Sequence, residues 1–338
     1  MGLADEQSAG PLRGESVGPA DEESAGPLRG ERVGPADEDS AGPLRGESVG
    51  LLDEVRSTCR AIAESARHVT IDLEAASPPA EADPPALDPE AHYLEGPPED
   101  VATYLLTLDA INFGSGWFPT LRKRPGRSGY FTVAWALADR FRAQGPWSNA
   151  DLRALEAPDL AAVLRQERGH PLMRLYAEAL RDLGRFLGDR TALDLVAEAD
   201  GSAERLATAL ARGMRLFDDR GFYKRAQIVP SDLALAGLAG FHDMDRLTIF
   251  ADNLVPHVLR VDGVLRYDPA LAAHIDAERL LPPGDAEREI RACAVHACEH
   301  LAERTGIPPR VLDIRLWNRG QAPEYKRIPR HRTRSVYY

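Results

Sequence analysis

From Val101 towards its end, the chain repeats apolar residues at intervals of three and four: TYLLTLDAINF, FTVAWALADRF, APDLAAVLRQ, HPLMRLYAEALRDLGRFLG, SAERLATALARGMRLF, DRLTIFADNLVPHVLR and GDAEREIRACAVHACEHLAERTG. A period near 3.6 gathers those side chains on one stripe of a helix, whereas a half-buried strand needs a period of two. Helix-start signals sit where the stripes begin, as at Ser202 with the acidic Glu204 close behind. Strand signals are few: HVTIDL from His68, and the Asp262–Gly263 pair, where the glycine can equally end the preceding helix. The predicted class is mainly α, one helical domain over residues 51–338, with a first helix from Leu51 through Arg67. A hydrophobic content of 43% is enough for its core. A proline-rich linker, SPPAEADPPALDPE from Ser77, follows that first helix.

Residues 1–50 are of another kind. ADEQSAGPLRGESVGP from Ala4 recurs as ADEESAGPLRGERVGP from Ala20 and ADEDSAGPLRGESVG from Ala36. Gly and Pro recur every few residues, and each copy holds almost no large apolar side chain, so burial cannot offset the entropy of ordering. A disordered tail is expected; the rival, a short solenoid of stacked repeats, would have only Leu and Val to bury.

The net charge of −12 comes from the first hundred residues, and the remainder is net basic. Its last stretch carries Arg319, Lys326, Arg327, Arg330, Arg332 and Arg334 against Glu324 alone. A basic end on an acidic protein suggests a small anionic ligand rather than a polynucleotide, which needs a broad positive face. No apolar run approaches the roughly 18 residues of a membrane span, and the N-terminus lacks a signal-peptide pattern, so no membrane partner and a cytoplasmic location are expected. Cys59, Cys293 and Cys298 are too few and too poorly spaced for a disulfide framework or a four-ligand zinc site. They are expected as reduced core residues.

HACEH, from His296 to His300, has the H-x-x-E-H spacing of some zinc peptidases. Ile290, Cys293, Ala294, Ala297, Cys298 and Leu301 nevertheless form the apolar stripe of that helix, with the histidines on its flank. The pattern is that of an ordinary amphipathic helix, and neither metal nor cofactor is expected. LDAINFGSGWFPTLRKRPGRSGY, from Leu108, joins a helix end to a glycine-rich loop. It matches no phosphate-binding glycine motif, but Asn112, Phe113, Trp117 and Phe118 could wall a pocket for a flat ring.

Acids recur in apolar company. In GFYKRAQIVPSDLALAG, Lys224, Ile228 and Asp232 fall at helical spacing on one side, and Pro230 is expected to kink the helix and turn Asp232 off its regular face. Asp252 lies in LTIFADNLVPHVLR and Asp313 in IPPRVLDIRLWNRG, one turn before Trp317. Singly each could be a helix cap or a satisfied core acid. Together with the basic end they suggest a cleft with a carboxylate floor and a cationic rim.

GFYKRAQIVPSDL, DRLTIFADNLVPHVLRVDGVLRYDP, EREIRACAVHACEHL, LDIRLW and HRTRSVYY, in that order, resemble the queuosine salvage family of queuosine 5′-phosphate N-glycosylases over roughly Leu51 to Tyr338. The resemblance implies a helical fold similar to helix-hairpin-helix DNA glycosylases, and hydrolysis of the bond between queuine, a 7-deazaguanine, and ribose 5-phosphate. It implies a small-molecule substrate without a direct nucleic-acid requirement; the oligomeric state stays open. On that reading Asp232 is the central catalytic acid with Asp252 as runner-up, and Lys224 tunes it or contacts the sugar phosphate. Asp313, with Trp317 or Phe113 stacking and Asn112 alongside, would bind the base. Arg330, His331, Arg332, Arg334 and Tyr338 would hold the phosphate. The alternatives are a non-catalytic transfer RNA or nucleotide binder, and a glycosylase acting on other purine nucleotides.

Overall fold

The computed structural model describes residues 49–76 and 86–338. The repeats, up to residue 48, and most of the proline-rich linker, residues 77–85, lie outside the described residues, and with them the expectations of a disordered tail and of its solenoid rival. Helix α1 (Leu51–Glu64) leads into a short strand β1 (Val69–Ile71), and the chain re-enters helix at α2 (Pro98–Ala110). There follow α3 (Gly129–Gln144), α4 (Asn149–Ala154), α5 (Ala157–Val163), α6 (Pro171–Leu187), α7 (Ala192–Glu198), α8 (Ala203–Gly213) and α9 (Lys224–Leu235). The last third holds α10 (Leu254–Val261), β2 (Leu265–Tyr267), α11 (Pro269–Asp276), α12 (Asp285–Thr305), α13 (Pro309–Arg319) and α14 (Pro323–Lys326). The mainly α expectation therefore holds for the described residues.

Local chemistry sets most of these boundaries. Ser128, Ser148, Thr191 and Ser202 each accept a backbone N–H in the first turn of α3, α4, α7 and α8. Helix α6 buries Leu172, Met173, Tyr176, Leu180, Leu183 and Leu187, the stripe its sequence spacing predicts. It stops at Gly188, whose φ of 61° suits a residue without Cβ. Helix α1 ends three residues short of the predicted Arg67. Ser65 Oγ turns back to Ala61 O at 2.8 Å, and the Glu289 carboxylate accepts the N–H groups of Arg67 (3.0 Å) and His68 (2.6 Å), drawing the chain into β1. The HVTIDL strand forms, and its antiparallel partner is β2, with Val69 opposite Tyr267. Gly263, at φ 83°, closes α10 just before it.

The described residues, 49–76 and 86–338, form one compact unit. In it α1 lies along α12, α4 and α5 pack on α6, and the β1–β2 ribbon rests on α12 and α10. Helix α9 is the central element, held between α2 and α8, and every residue from Lys224 to Leu233 is buried. Such a position normally selects an apolar helix, so the polar residues of α9 require specific partners. Cys59, Cys293 and Cys298 are buried and unbridged, as expected. Among the described residues no helix is long and apolar enough to cross a membrane.

Candidate active site

Helix α9 begins under constraint. Tyr223, just before it, is left-handed at φ 48°, a costly region for a bulky residue. It is held there by its N–H to Asp219 O (2.7 Å) and its hydroxyl to Glu54 (2.8 Å). Asp219 is itself fixed by a buried ion pair with Arg291 at 2.5 Å. Lys224 is thus delivered as the first residue of the helix. Its ammonium donates to Asn112 O (2.9 Å) and Asn112 Oδ1 (3.2 Å).

Pro230 does not turn Asp232 aside. The helix runs continuously from Lys224 to Leu235, and Lys224, Ile228, Asp232 and Leu235 all open on the same cavity of about 610 Å³. The missing N–H of Pro230 is absorbed in a helix held on both sides by α2 and α8. Burial raises the Asp232 carboxyl to about 7, with Lys224 pulling the other way, and burial lowers the Lys224 ammonium to about 8 against the pull of Asp252. An acid and a base titrating this close to neutrality and opening on one cavity is a feature of catalytic sites more often than of structural ones.

The other two acids line the same cavity. Asp252 Oδ1 accepts the N–H groups of Leu254 (2.7 Å) and Val255 (3.1 Å), so it caps α10 while facing the cavity. Asp313 accepts Phe250 N–H at 2.8 Å and is otherwise buried. Burial first, then the charge of Asp252, pushes its carboxyl well above the carboxylate range.

An aromatic wall faces these acids. Trp317 packs edge-on against Tyr130 (6.1 Å) and Phe131 (5.8 Å), and all three line the cavity. Tyr130 is anchored from behind by His92 Nε2 at 2.9 Å. Phe113 lines the cavity too, but its ring is engaged by the Arg225 guanidinium (4.7 Å) and the edge of Tyr176 (5.0 Å). Trp317, Tyr130, Phe131 and Phe118 are further rings on the cavity wall. Asn112 lines the cavity, bound to Lys224.

The basic end of the chain is a strap laid across this cavity. Arg225 donates to Val336 O (2.8 Å), Gly114 N–H to Tyr338 O (2.8 Å), and Leu281 N–H to Arg332 O (2.9 Å). The glycine loop makes room for the strap: a Cβ on Gly116 would stand 2.4 Å from Thr333 O. Gly116 is therefore explained by this backbone approach, while a Cβ on Gly114 would meet the Leu172 side chain instead.

Arg330, Arg332 and Tyr338 line the cavity. Arg332 is paired with Glu278 at 3.1 Å, whereas Arg330 has no carboxylate partner among the described residues. His331 is buried away from the cavity, and neither ring nitrogen has a hydrogen-bond partner among the described residues. Arg334 is exposed, its guanidinium 5.8 Å from the centre of the Trp117 ring.

His296 and His300 bring their Nε2 atoms to 3.3 Å of each other on the flank of α12. No group of three or more metal-capable side chains occurs among the described residues.

The sequence reading passed over Asp109. It lies in the last turn of α2, 0% exposed, and neither carboxylate oxygen has a hydrogen-bond partner among the described residues. The signal was present: an acid following Leu105, Leu106 and Leu108 at the apolar end of a helix.

The sequence profile of the queuosine salvage protein family matches residues 91–338, which hold α9, the aromatic wall and the strap. A protein of Sphaerobacter thermophilus named queuosine 5′-phosphate N-glycosylase/hydrolase is 35% identical over 315 residues, covering 84% of this chain and 97% of its own. Proteins of the same name from Mus musculus (28% identical) and Bos taurus (29%) cover 84% of this chain and 98% of theirs. The family match over residues 91–338, with a 35% identical relative aligned along almost its whole length, makes this chain a member of the queuosine salvage protein family.

Proposed function

We propose that this chain hydrolyses the N-glycosidic bond of queuosine 5′-phosphate, releasing queuine and ribose 5-phosphate so that the base can be reused in transfer RNA. The carrying observation is that Asp232 and Lys224, on one face of a buried helix, both line a cavity that aromatics and Arg330 also line. A 7-deazapurine has carbon in place of N7, so the departing base cannot be activated by protonation there. Positive charge developing on the sugar must be stabilised instead. Asp232, ionised, supplies that stabilisation and accepts a proton from the attacking water, the task of the carboxylates in glycosidases. A carboxyl raised to about 7 is a better base near neutral pH than an ordinary aspartate.

Lys224 keeps Asp232 ionised and bridges to Asn112. Asp313 recognises the guanine-like edge, whose N–H donors favour its ionised form, and Trp317 stacks on the ring. Asp252 remains the runner-up for the central acid, although its capping of α10 occupies one oxygen. Arg330, free of an ion pair, takes the phosphate, and Arg332 and Tyr338 assist. His331 and Arg334 hold and flank the strap. A mainly helical frame opening an acid-lined cavity between its helices is in keeping with the expected likeness to helix-hairpin-helix DNA glycosylases. A free nucleotide fills such a cavity without nucleic acid, in keeping with a cytoplasmic setting.

Incubation with queuosine 5′-phosphate, queuosine and guanosine 5′-monophosphate, followed by chromatography of the free base, tests the reading. Fast release from the first substrate alone is expected. Equal release of guanine would favour a general purine nucleotide glycosylase, and binding without release would favour a non-catalytic module.

A further inference from the structure

Among the described residues five carboxylates line the cavity: Asp88, Asp232, Asp252, Glu278 and Asp313. Asp252 caps α10, Asp313 accepts the Phe250 N–H, Glu278 is paired with Arg332, and Asp232 is the acid of the glycosidase reading. Asp88 has neither a cation nor a task. Its Oδ1 accepts one backbone N–H, that of Glu90 at 2.9 Å, and no ion pair with it occurs among the described residues.

The turn that carries Asp88 is clamped to the aromatic wall. Asp88 O accepts the N–H groups of Ala91 (3.1 Å) and His92 (2.9 Å), and His92 Nδ1–H as well (2.8 Å). That last bond leaves His92 Nε2 as an acceptor, so the Tyr130 hydroxyl donates to it at 2.9 Å. Tyr130 in turn lies edge-on to Trp317, 6.1 Å between ring centres. Arg142 of α3 braces the same turn, donating to Pro89 O (3.1 Å) and His92 O (2.8 Å) while its charge is met by Glu95 (2.6 Å). His92 is buried, and burial lowers its pKa, so it adds no competing cation. Asp88 is therefore a carboxylate on a braced turn, at the Tyr130–Trp317 side of the cavity.

Queuine differs from guanine in a way that suits such a group. Its position 7 bears a CH2–NH–cyclopentenediol arm, and the arm's nitrogen is a dialkylamine that carries a proton near neutral pH. Guanine has no such cation. With the ring on Trp317 and its N–H edge at Asp313, the arm leaves from the five-membered ring, a different edge, and needs a counter-charge other than Asp313.

We propose that Asp88 is a specificity-determining residue whose carboxylate accepts a hydrogen bond from the secondary ammonium of that arm, selecting queuosine nucleotides from guanine nucleotides that could fill the same ring and phosphate sites. The proposal rests on the glycosidase reading above. A charge-assisted bond at a partly exposed carboxylate should discriminate by about thirtyfold.

Calorimetric titration of wild type and Asp88→Asn with queuine and with 7-deazaguanine, which lacks the arm, tests it. Asparagine keeps an acceptor for the Glu90 N–H, so the melting temperature should be unchanged. Queuine should bind the variant about thirtyfold more weakly, and 7-deazaguanine should bind both proteins to within about twofold. In steady state KM for queuosine 5′-phosphate should rise by a similar factor, with kcat within about threefold of wild type. Equal weakening of both bases would assign Asp88 to support of the wall, and unchanged queuine binding would leave the arm unrecognised by it; either overturns the proposal.

Should the variant not fold, two smaller bases titrated into wild type decide. 7-Aminomethyl-7-deazaguanine should bind at least about tenfold more tightly than 7-methyl-7-deazaguanine, and equal affinities overturn the proposal. Wild type that binds these bases but releases no queuine from queuosine 5′-phosphate would defeat the glycosidase reading itself. Release of queuine with no discrimination in the titrations would defeat only the role of Asp88.

Discussion

Lys224 and Asp232 stand two turns apart on one face of α9, and both open on the same cavity although the helix carrying them is buried along its length. Burial moves them towards each other in titration, Asp232 up to about 7 and Lys224 down to about 8. The active form has Asp232 ionised and Lys224 protonated, so kcat/KM should be bell-shaped, rising through about pH 7 and falling above about pH 8. A profile flat from pH 5 to pH 10 would separate these two groups from the rate.

The same shift has a consequence for stability. Folded Asp232 titrates near 7, against about 4 when unfolded, so across that window the folded chain keeps a proton that the unfolded chain has lost. Its contribution is present at low pH and is lost as pH rises towards 7. Denaturation of Asp232→Asn beside wild type should show the variant gaining relative stability from pH 4 to pH 7; a constant difference would mean that Asp232 titrates normally.

Arg330 lines the cavity without an ion pair among the described residues. Arg330→Met should raise KM for queuosine 5′-phosphate by about a hundredfold, the value of a charge-assisted phosphate contact, and leave hydrolysis of unphosphorylated queuosine nearly unchanged. Equal losses on both substrates in steady-state assays would assign Arg330 to support of the strap.

Arg225 ties three separate backbone segments together through Ala110 O, Leu216 O and Val336 O. Arg225→Met leaves those buried carbonyls without their donor and should cost about 3–5 kcal/mol in urea denaturation. A loss under about 1 kcal/mol would show that the strap is held by its other bonds.

The helical class was legible because long stripes such as that of α6 have a period that no strand shares. So were the acids Asp232, Asp252 and Asp313, each conspicuous among large apolar neighbours. What escaped was decided by distant partners. Glu289 ends α1 from 222 residues away, a contact no local pattern encodes. The loop after α2 showed its aromatics but not the partner of its glycines: Gly116 makes room for the backbone of the strap, more than 200 residues on. His331 and Arg334 looked equivalent to Arg330, and only the path of the strap separates them. Pro230 misled because helix propensity was weighed without the packing of α2 and α8 that overrides it.

The central claim is that the carboxylate of Asp232 drives cleavage of a nucleotide's glycosidic bond. Chromatography of queuosine 5′-phosphate incubated with wild type and with Asp232→Asn, alongside a binding titration of each, tests it most directly. Wild type should release queuine and ribose 5-phosphate in equal amounts, while the variant binds the nucleotide but turns it over at least about a thousandfold more slowly, a loss of about 4 kcal/mol in transition-state stabilisation. A variant that keeps more than about a tenth of the wild-type rate would contradict the account.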